Sequence, residues 1–277
     1  MDKAYSKSCM LEKKFILDVG ITNATKQEVL EYIIKGLEKN GKKYFIVTPN
    51  PEILVLASKA KEYKKILNNA EIALPDGVGV IIAGKILGIR FKERITGVEL
   101  LESLCLTVAK KPITVGFLGG GEGIAEKTAE CLVLKYPELK IAFVGSEWPN
   151  GSPVINGDRR TTLINTQNYA EKTGVYQRFD LRKSAPDILF VAFGAPKQEI
   201  WISENLERLP VKVAIGVGGA FDYIGGIVPR APIFIQKLGF EWLFRLIVQP
   251  WRLKRQLALL EFALLVLKEK FSPSSKP

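Results

Sequence analysis

Residues 186–201 read Pro-Asp-Ile-Leu-Phe-Val-Ala-Phe-Gly-Ala-Pro-Lys-Gln-Glu-Ile-Trp. The apolar run Ile188 to Phe193 has the length of one buried strand. It breaks at Gly194-Ala195-Pro196, and Lys197-Gln198-Glu199 then opens a helix. The first turn of a helix carries unpaired N–H groups and the positive end of the helix dipole, a setting that suits a phosphate. Taken alone, the segment specifies an α/β protein with an anionic ligand, with Gly194, Lys197 and Gln198 at the mouth of the site.

The same unit recurs on both sides of it. Strand-like runs at 15–19, 44–47, 71–74, 113–118, 140–144, 187–193 and 211–217 alternate with helix-like segments. Thr22 or Asn23 can cap a helix running to about Lys39, with Val29, Ile33, Ile34 and Leu37 on one face. Pro51 suits a first helical position, residues 61–69 read as helix, and Thr96 with Glu99 forms a capping box for a helix to Val108. This alternation predicts an α/β fold, a Rossmann-like, doubly wound and mostly parallel sheet with helices on both faces. Ligands of such sheets bind at the carboxyl ends of the strands. The polar junctions fall there: Thr48–Asn50, Asp76, Gly119–Gly121, Gly194–Gln198 and Gly218–Asp222.

Two regions depart from the pattern. Residues 146–185 are polar and read as a long insertion in a catalytic domain of residues 1–228. Residues 229–277 read as a basic, amphipathic C-terminal appendage, helical from Lys237 to Lys270. Residues 235–277 hold eight Lys/Arg against three Glu, which is five of the chain's net charge of +11. Leu257–Leu267, LALLEFALLVL, is about half the length that spans a bilayer. With its flanking cations and Trp242, Phe244 and Trp251 it suits a helix lying in a membrane interface; a core or dimer helix is the plainer reading.

Composition narrows the chemistry. The chain has no histidine, which excludes His-based acid–base pairs, Ser-His-Asp triads and His-containing zinc sites. Cys9, Cys105 and Cys131 are in no metal-ligand spacing and fit free thiols in a reducing compartment. No signal peptide or run of about 18 apolar residues is expected. The net charge favours a polyanionic partner.

Several motifs carry two readings. Gly79 to Lys85 imitates the start of a P-loop, but Ile86 stands where the metal-binding hydroxyl belongs, and a buried helix fits better. Gly119–Gly123 lacks the full dinucleotide fingerprint and reads as a packing turn or a general phosphate contact. Asp76 is either the N-cap of the next helix or a general base facing the crevice. Arg252 and Arg255 share a helix face, and with Arg245 they form either a solvated basic face or a diphosphate clamp. No Asp-x-Asp pair occurs anywhere, so an enzyme acting on a nucleotide-sugar would rely on arginines to offset leaving-group charge.

These residues together resemble the WecG/TagA/CpsF glycosyltransferases, glycosyltransferase family 26. The resemblance rests on Thr48-Pro49-Asn50, Pro75-Asp76-Gly77-x-Gly79, Arg94-x-Thr96-Gly97, Gly194-Ala195-Pro196-Lys197-Gln198-Glu199 and Gly216-x-Gly218-Gly219-x-Phe221-Asp222. The tail adds Arg230-Ala231-Pro232, Gln236-Lys237-x-Gly239-x-Glu241-Trp242-x-x-Arg245 and Pro250-x-Arg252-x-x-Arg255. It implies an inverting, metal-independent enzyme that needs no cofactor and moves N-acetylmannosamine or a related sugar from a UDP-sugar to a polyprenyl-diphosphate-linked N-acetylglucosamine, in teichoic-acid or related surface-polymer synthesis. It implies Asp76 as the base, Thr48 and Arg94 near the sugar, and Asn50 and Gln198 in the site. Asp222 and the Gly218-Gly219 turn would border the nucleotide, and Arg245, Arg252 and Arg255 would close over the diphosphate. It further implies a cytoplasmic enzyme on the inner face of the cell membrane, with a homo-oligomer as a further partner and no nucleic acid. The competing readings are a nucleotide-dependent oxidoreductase and a nucleic-acid-binding α/β module.

Overall fold

A computed structural model describes residues 11–38, 42–146 and 185–272. The 146–185 insertion therefore lies almost wholly outside the described residues. The first described elements are β1 (Lys13–Ile16) and β2 (Val19–Thr22), an antiparallel hairpin. One continuous strand is expected over 15–19, but Leu17 and Asp18 take φ of 51° and 60°. Two successive left-handed residues give the tight turn whose twist matches a hairpin. The chain continues through α1 (Lys26–Glu38), β3 (Tyr44–Val47), α2 (Pro51–Lys59), α3 (Lys61–Asn69), β4 (Ile72–Ala73), α4 (Val78–Ile86) and α5 (Gly97–Val108). Then follow β5 (Thr114–Gly119), α6 (Ile124–Lys135), β6 (Lys140–Gly145), β7 (Ile188–Ala192), α7 (Lys197–Asn205), β8 (Val213–Gly216) and α8 (Ala220–Ile224).

Strands β3 to β8 form one parallel sheet in the order β4-β3-β8-β7-β5-β6. Every residue of β7 is buried, because the sheet is covered on both faces and strands there need no polar side. Alternation divides the core. Ile188, Phe190, Val213 and Ile215 pack toward α1, α5 and α6; Leu189, Val191 and Ala214 pack toward α2, α3, α7 and the hairpin. This is the doubly wound α/β fold the sequence predicts.

Helix starts explain several turns at the sheet rim. Asn50 Oδ1 accepts the Ile53 N–H at 3.0 Å and Pro51 follows, so α2 begins immediately beyond β3. Thr96 and Glu99 form the expected capping box at α5. At α1 the cap is Thr25, not Thr22 or Asn23: Glu28 N–H donates to Thr25 Oγ1 at 3.2 Å, and Thr25 N–H to Glu28 Oε2 at 2.7 Å. Thr22 and Asn23 have other work: Thr22 Oγ1 accepts the Ala73 N–H, and Asn23 Oδ1 that of Lys92.

The tail, expected to be helical from Lys237 to Lys270 with a break near Pro250, is broken there and also at Gly239. It comprises α9 (Ile233–Leu238), α10 (Glu241–Val248), a single 3-10 turn at Pro250–Arg252 and α11 (Leu253–Phe271). Gly239, at φ 80°, ends α9 in a left-handed cap, and Pro250 lacks the N–H that would continue α10. The last helix returns to the core and packs on α2 and α4. Phe262 and Val266 are buried there, and Lys59 pairs with Glu261 at 2.7 Å. Truncating a buried Phe such as Phe262 to Ala costs about 3–5 kcal/mol, so this contact holds the tail down. The outer side of α9 to α11 is apolar and exposed, including Ile233, Phe234, Ile247, Trp251, Leu260, Leu264 and Phe271.

Candidate active site

The carboxyl ends of the strands open into one cavity of about 910 Å³. Its floor comes from the sheet: Thr48 and Asn50 after β3, Asp76 after β4, Gly119–Gly121 after β5, Gly194 after β7, and Gly218, Gly219 and Asp222 after β8. Its walls come from elsewhere. Arg94 precedes α5, Glu241, Trp242 and Arg245 stand on α10, and Leu259, Phe262, Ala263 and Val266 stand on α11. The cavity is amphipathic: one end is carboxylate, arginine and glycine turn, the other is α11 with Ile82 and Ile86 of α4.

Asp76 sits at the polar end. Its backbone N–H donates to Pro49 O at 3.0 Å, and its Oδ2 accepts the N–H of Gly97, the first residue of α5, at 3.3 Å. It does not cap the next helix. Gly77 holds the cap position of α4, at φ 92° and without a side-chain cap bond. Burial pushes the Asp76 pKa up to about 7. The Gly97 N–H and Arg94 oppose that rise, while the negative charges of Glu241 and Glu99 add to it. A carboxylate that exchanges its proton near neutrality is suited to general-base work.

Thr48 is buried, and its hydroxyl donates to Gly216 O at 3.2 Å, which ties the end of β3 to the turn after β8. Asn50 lines the cavity while capping α2. Gln198 is only 1% exposed, and its amide oxygen accepts the Gly218 N–H at 3.0 Å, so it stands behind the glycine turn. Lys197, expected at the mouth, is exposed at the start of α7 and is not among the residues lining the cavity.

Among the described residues, Arg245 is the tail cation that lines the cavity. Its Nη2 lies 3.5 Å from Asp222 Oδ2 and its guanidinium carbon 4.7 Å from the centre of the Tyr223 ring. A Cβ on Gly219 would stand 2.7 Å from Arg245 Nη2, so glycine is what lets the arginine reach the turn. Arg252 ends the 3-10 turn and Arg255 lies near the start of α11. The expectation that these two close over a diphosphate concerns side chains outside the described part of the structure.

Sequence reasoning assigns no role in the site to Arg230, Glu241, Tyr63 or Glu199, and reads Trp242 as an interfacial aromatic instead of a cavity residue. Arg230 joins the tail to α5: its Nε is 3.3 Å from Glu241, and its terminal nitrogens are 3.8 Å from Glu99 and 3.9 Å from Glu102. Glu241 and Trp242 sit in a quoted motif beside Arg245, which is the signal that could have found them. Among the described residues, no group of three or more Cys, Asp or Glu side chains is placed to hold a metal ion.

A sequence model of the Glycosyl transferase WecG/TagA/CpsF family matches residues 15–276. The chain belongs to that family. The relatives it resembles include the N-acetylglucosaminyldiphosphoundecaprenol N-acetyl-beta-D-mannosaminyltransferase of Bacillus subtilis (strain 168), 30% identical over 94% of this chain and 93% of the relative. The protein of the same name from Bacillus spizizenii is 34% identical over 84% and 82%, and that of Staphylococcus aureus (strain MRSA252) is 31% identical over 87% and 86%. This WecG/TagA/CpsF glycosyltransferase therefore has the fold and the enzyme class its motifs imply. Among its described residues no helix is long and apolar enough to cross a membrane.

Proposed function

We propose that this glycosyltransferase moves N-acetylmannosamine, or a closely related sugar, from a UDP-sugar to the 4-hydroxyl of a polyprenyl-diphosphate-linked N-acetylglucosamine, with inversion and without a metal. The observation that carries the reading is Asp76: a cavity carboxylate with its pKa near 7, in a cleft whose lining also includes Arg245 and two glycine turns. Asp76 takes the acceptor's hydroxyl proton as the oxygen attacks the anomeric carbon. The C1–O bond to UDP breaks, and UDP leaves with the electron pair. Its growing negative charge meets Arg245 and the N–H groups of Gly121 and Gly219, those of Gly120 and Gly218 being already donated to Ala192 O and Gln198 Oε1, and exclusion of water strengthens each contact. Asp222 holds Arg245 in place for that work.

The acceptor assignment is supported by the cavity's second half. A diphosphate carrying a polyprenyl chain is polar at one end and apolar at the other, as the cavity is. The relatives' names specify an undecaprenol-linked acceptor. The exposed apolar side of α9 to α11 is suited to lie in a membrane interface beside that lipid, with the exposed Lys268 and Lys270 near the end of α11 available to anionic headgroups. On this reading the enzyme is peripheral, on the inner face of the cell membrane, and acts in surface-polymer synthesis such as that of teichoic acid.

The test is UDP release from a panel of UDP-sugars with a lipid-diphosphate N-acetylglucosamine analogue, with and without a chelator. UDP-N-acetylmannosamine is expected to give release that the chelator leaves unchanged and that Asp76→Asn lowers by about two orders of magnitude or more. No release from any donor, or an active Asp76→Asn, removes the assignment.

A further inference from the structure

Gln198 and Glu199 are neighbours in sequence at the start of α7, and consecutive helical side chains do not ordinarily face each other. Here they do: Gln198 Nε2 donates to Glu199 Oε1 at 2.7 Å. Both are buried, Glu199 completely. From the other side the Tyr63 hydroxyl, on α3, donates to Glu199 Oε2 at 3.1 Å. A carboxyl among apolar neighbours is costly to bury unless it is fully hydrogen-bonded, and burial raises the Glu199 pKa.

We infer that Glu199, held by Tyr63, is a positioning residue: it fixes the orientation of the Gln198 amide and thereby sets the Gly216–Gly219 turn that receives the donor's diphosphate. An amide can rotate by half a turn and exchange its oxygen for its NH2. Gly218 N–H needs the oxygen, which it meets at 3.0 Å. The exchanged amide would face that N–H with two donors of its own. What decides between the two orientations is the acceptor at the amide's far end, and Glu199 is that acceptor. Room for the amide is made by Gly216, where a Cβ would stand 3.0 Å from Gln198 Nε2. The effect passes outward through Gly218, held at φ 55°, to Gly219, against which Arg245 packs. The ligand part of this inference rests on the proposed UDP-sugar chemistry; the relay from Tyr63 to Gly218 stands on the geometry alone.

The experiment compares Glu199→Leu, Glu199→Gln and Tyr63→Phe with the full-length wild type. Three quantities are read: amide hydrogen exchange in the 216–219 turn, affinity for UDP alone by calorimetry, and the thermal midpoint. In Glu199→Leu, loss of the hydrogen bond at Gly218 is expected to speed exchange in the turn about tenfold and to weaken UDP binding about tenfold, with a fall in the thermal midpoint because the buried Tyr63 hydroxyl and Gln198 NH2 lose their acceptor. Glu199→Gln is expected to restore both, because its amide oxygen still accepts from Gln198 and its NH2 can donate to the Tyr63 oxygen. Tyr63→Phe shifts both in the direction of Glu199→Leu by a smaller factor, and it carries the test if the leucine variant does not fold. Unchanged exchange in Glu199→Leu or Tyr63→Phe overturns the relay, as does a glutamine variant no better than leucine. Wild-type protein that fails to bind UDP overturns the proposed function, while exchange in the turn still decides the relay.

Discussion

The N–H of Gly97 points at the carboxylate of Asp76 across 3.3 Å. Gly97 opens α5, so this carboxyl is anchored to the positive end of a helix while burial works to keep it protonated. Burial wins, which places the Asp76 pKa at about 7.

A general base must be deprotonated, so kcat/KM is expected to rise with pH through about 7 and to level off above it. Stability follows the opposite course. A carboxyl whose folded pKa lies above its unfolded value of about 3.8 favours the folded state fully below pH 3.8, and that contribution is lost as pH rises to about 7. Asp76→Asn should therefore melt higher than wild type at pH 8 and lose that advantage near pH 4. At pH 8 turnover should fall by about two orders of magnitude or more. Paired melting and rate profiles check both.

Glu241, on the tail, adds its negative charge to the forces raising the Asp76 pKa. Glu241→Gln removes that charge. The acid limb of the rate profile is then expected to move to lower pH by up to about one unit. A limb that stays in place would mean that the tail does not tune the base.

Arg245 combines an ion pair with Asp222 and a ring contact with Tyr223. Lysine reproduces the charge but neither the planar fork nor the stacking. Arg245→Ala and Arg245→Lys should both lower kcat/KM, alanine by about a hundredfold, with lysine recovering only a fraction. Full recovery by lysine would reduce the role of Arg245 to a point charge.

Leu260 and Leu264 of α11 are 68% and 69% exposed, while Phe262 and Val266 on the same helix are buried. The double change Leu260→Glu with Leu264→Glu should leave the thermal midpoint near that of wild type and strongly reduce sedimentation with anionic vesicles. Phe262→Ala should do the reverse, lowering the midpoint through the lost core contact. Equal vesicle binding by the glutamate variant would locate the membrane contact elsewhere.

How much of this was legible beforehand depended on how local each cause is. The strand at Ile188–Ala192 was readable because burial on both faces leaves an unbroken apolar run. The α2 and α5 starts were readable because Asn50-Pro51 and Thr96/Glu99 carry their partners within three residues. The β1–β2 turn was missed because Leu17-Asp18 lacks the usual Asn-Gly signal, and the hairpin is held instead by contacts such as Gly20 N–H to Asn68. The tail's break at Pro250 was readable from the proline, whereas the one at Gly239 was not, because the apolar and basic pattern runs across it. Asp76, Thr48, Asn50, Arg94 and Arg245 do line one cavity. The neighbours that govern them could not be read in advance. The approach of Glu241 to Asp76 and of Tyr63 to Glu199 spans more than a hundred residues of chain, and only the fold creates it.

Thr48 and Asn50 on the cavity floor are translated early, whereas Phe262 and Val266 in its wall emerge from the ribosome long afterwards. A chain made as far as β8 can complete its sheet and still lack the part of the cavity wall that α10 and α11 supply. If this cavity is where sugar transfer takes place, a product cut short before α11 is expected to be a silent protein instead of a weakly active one.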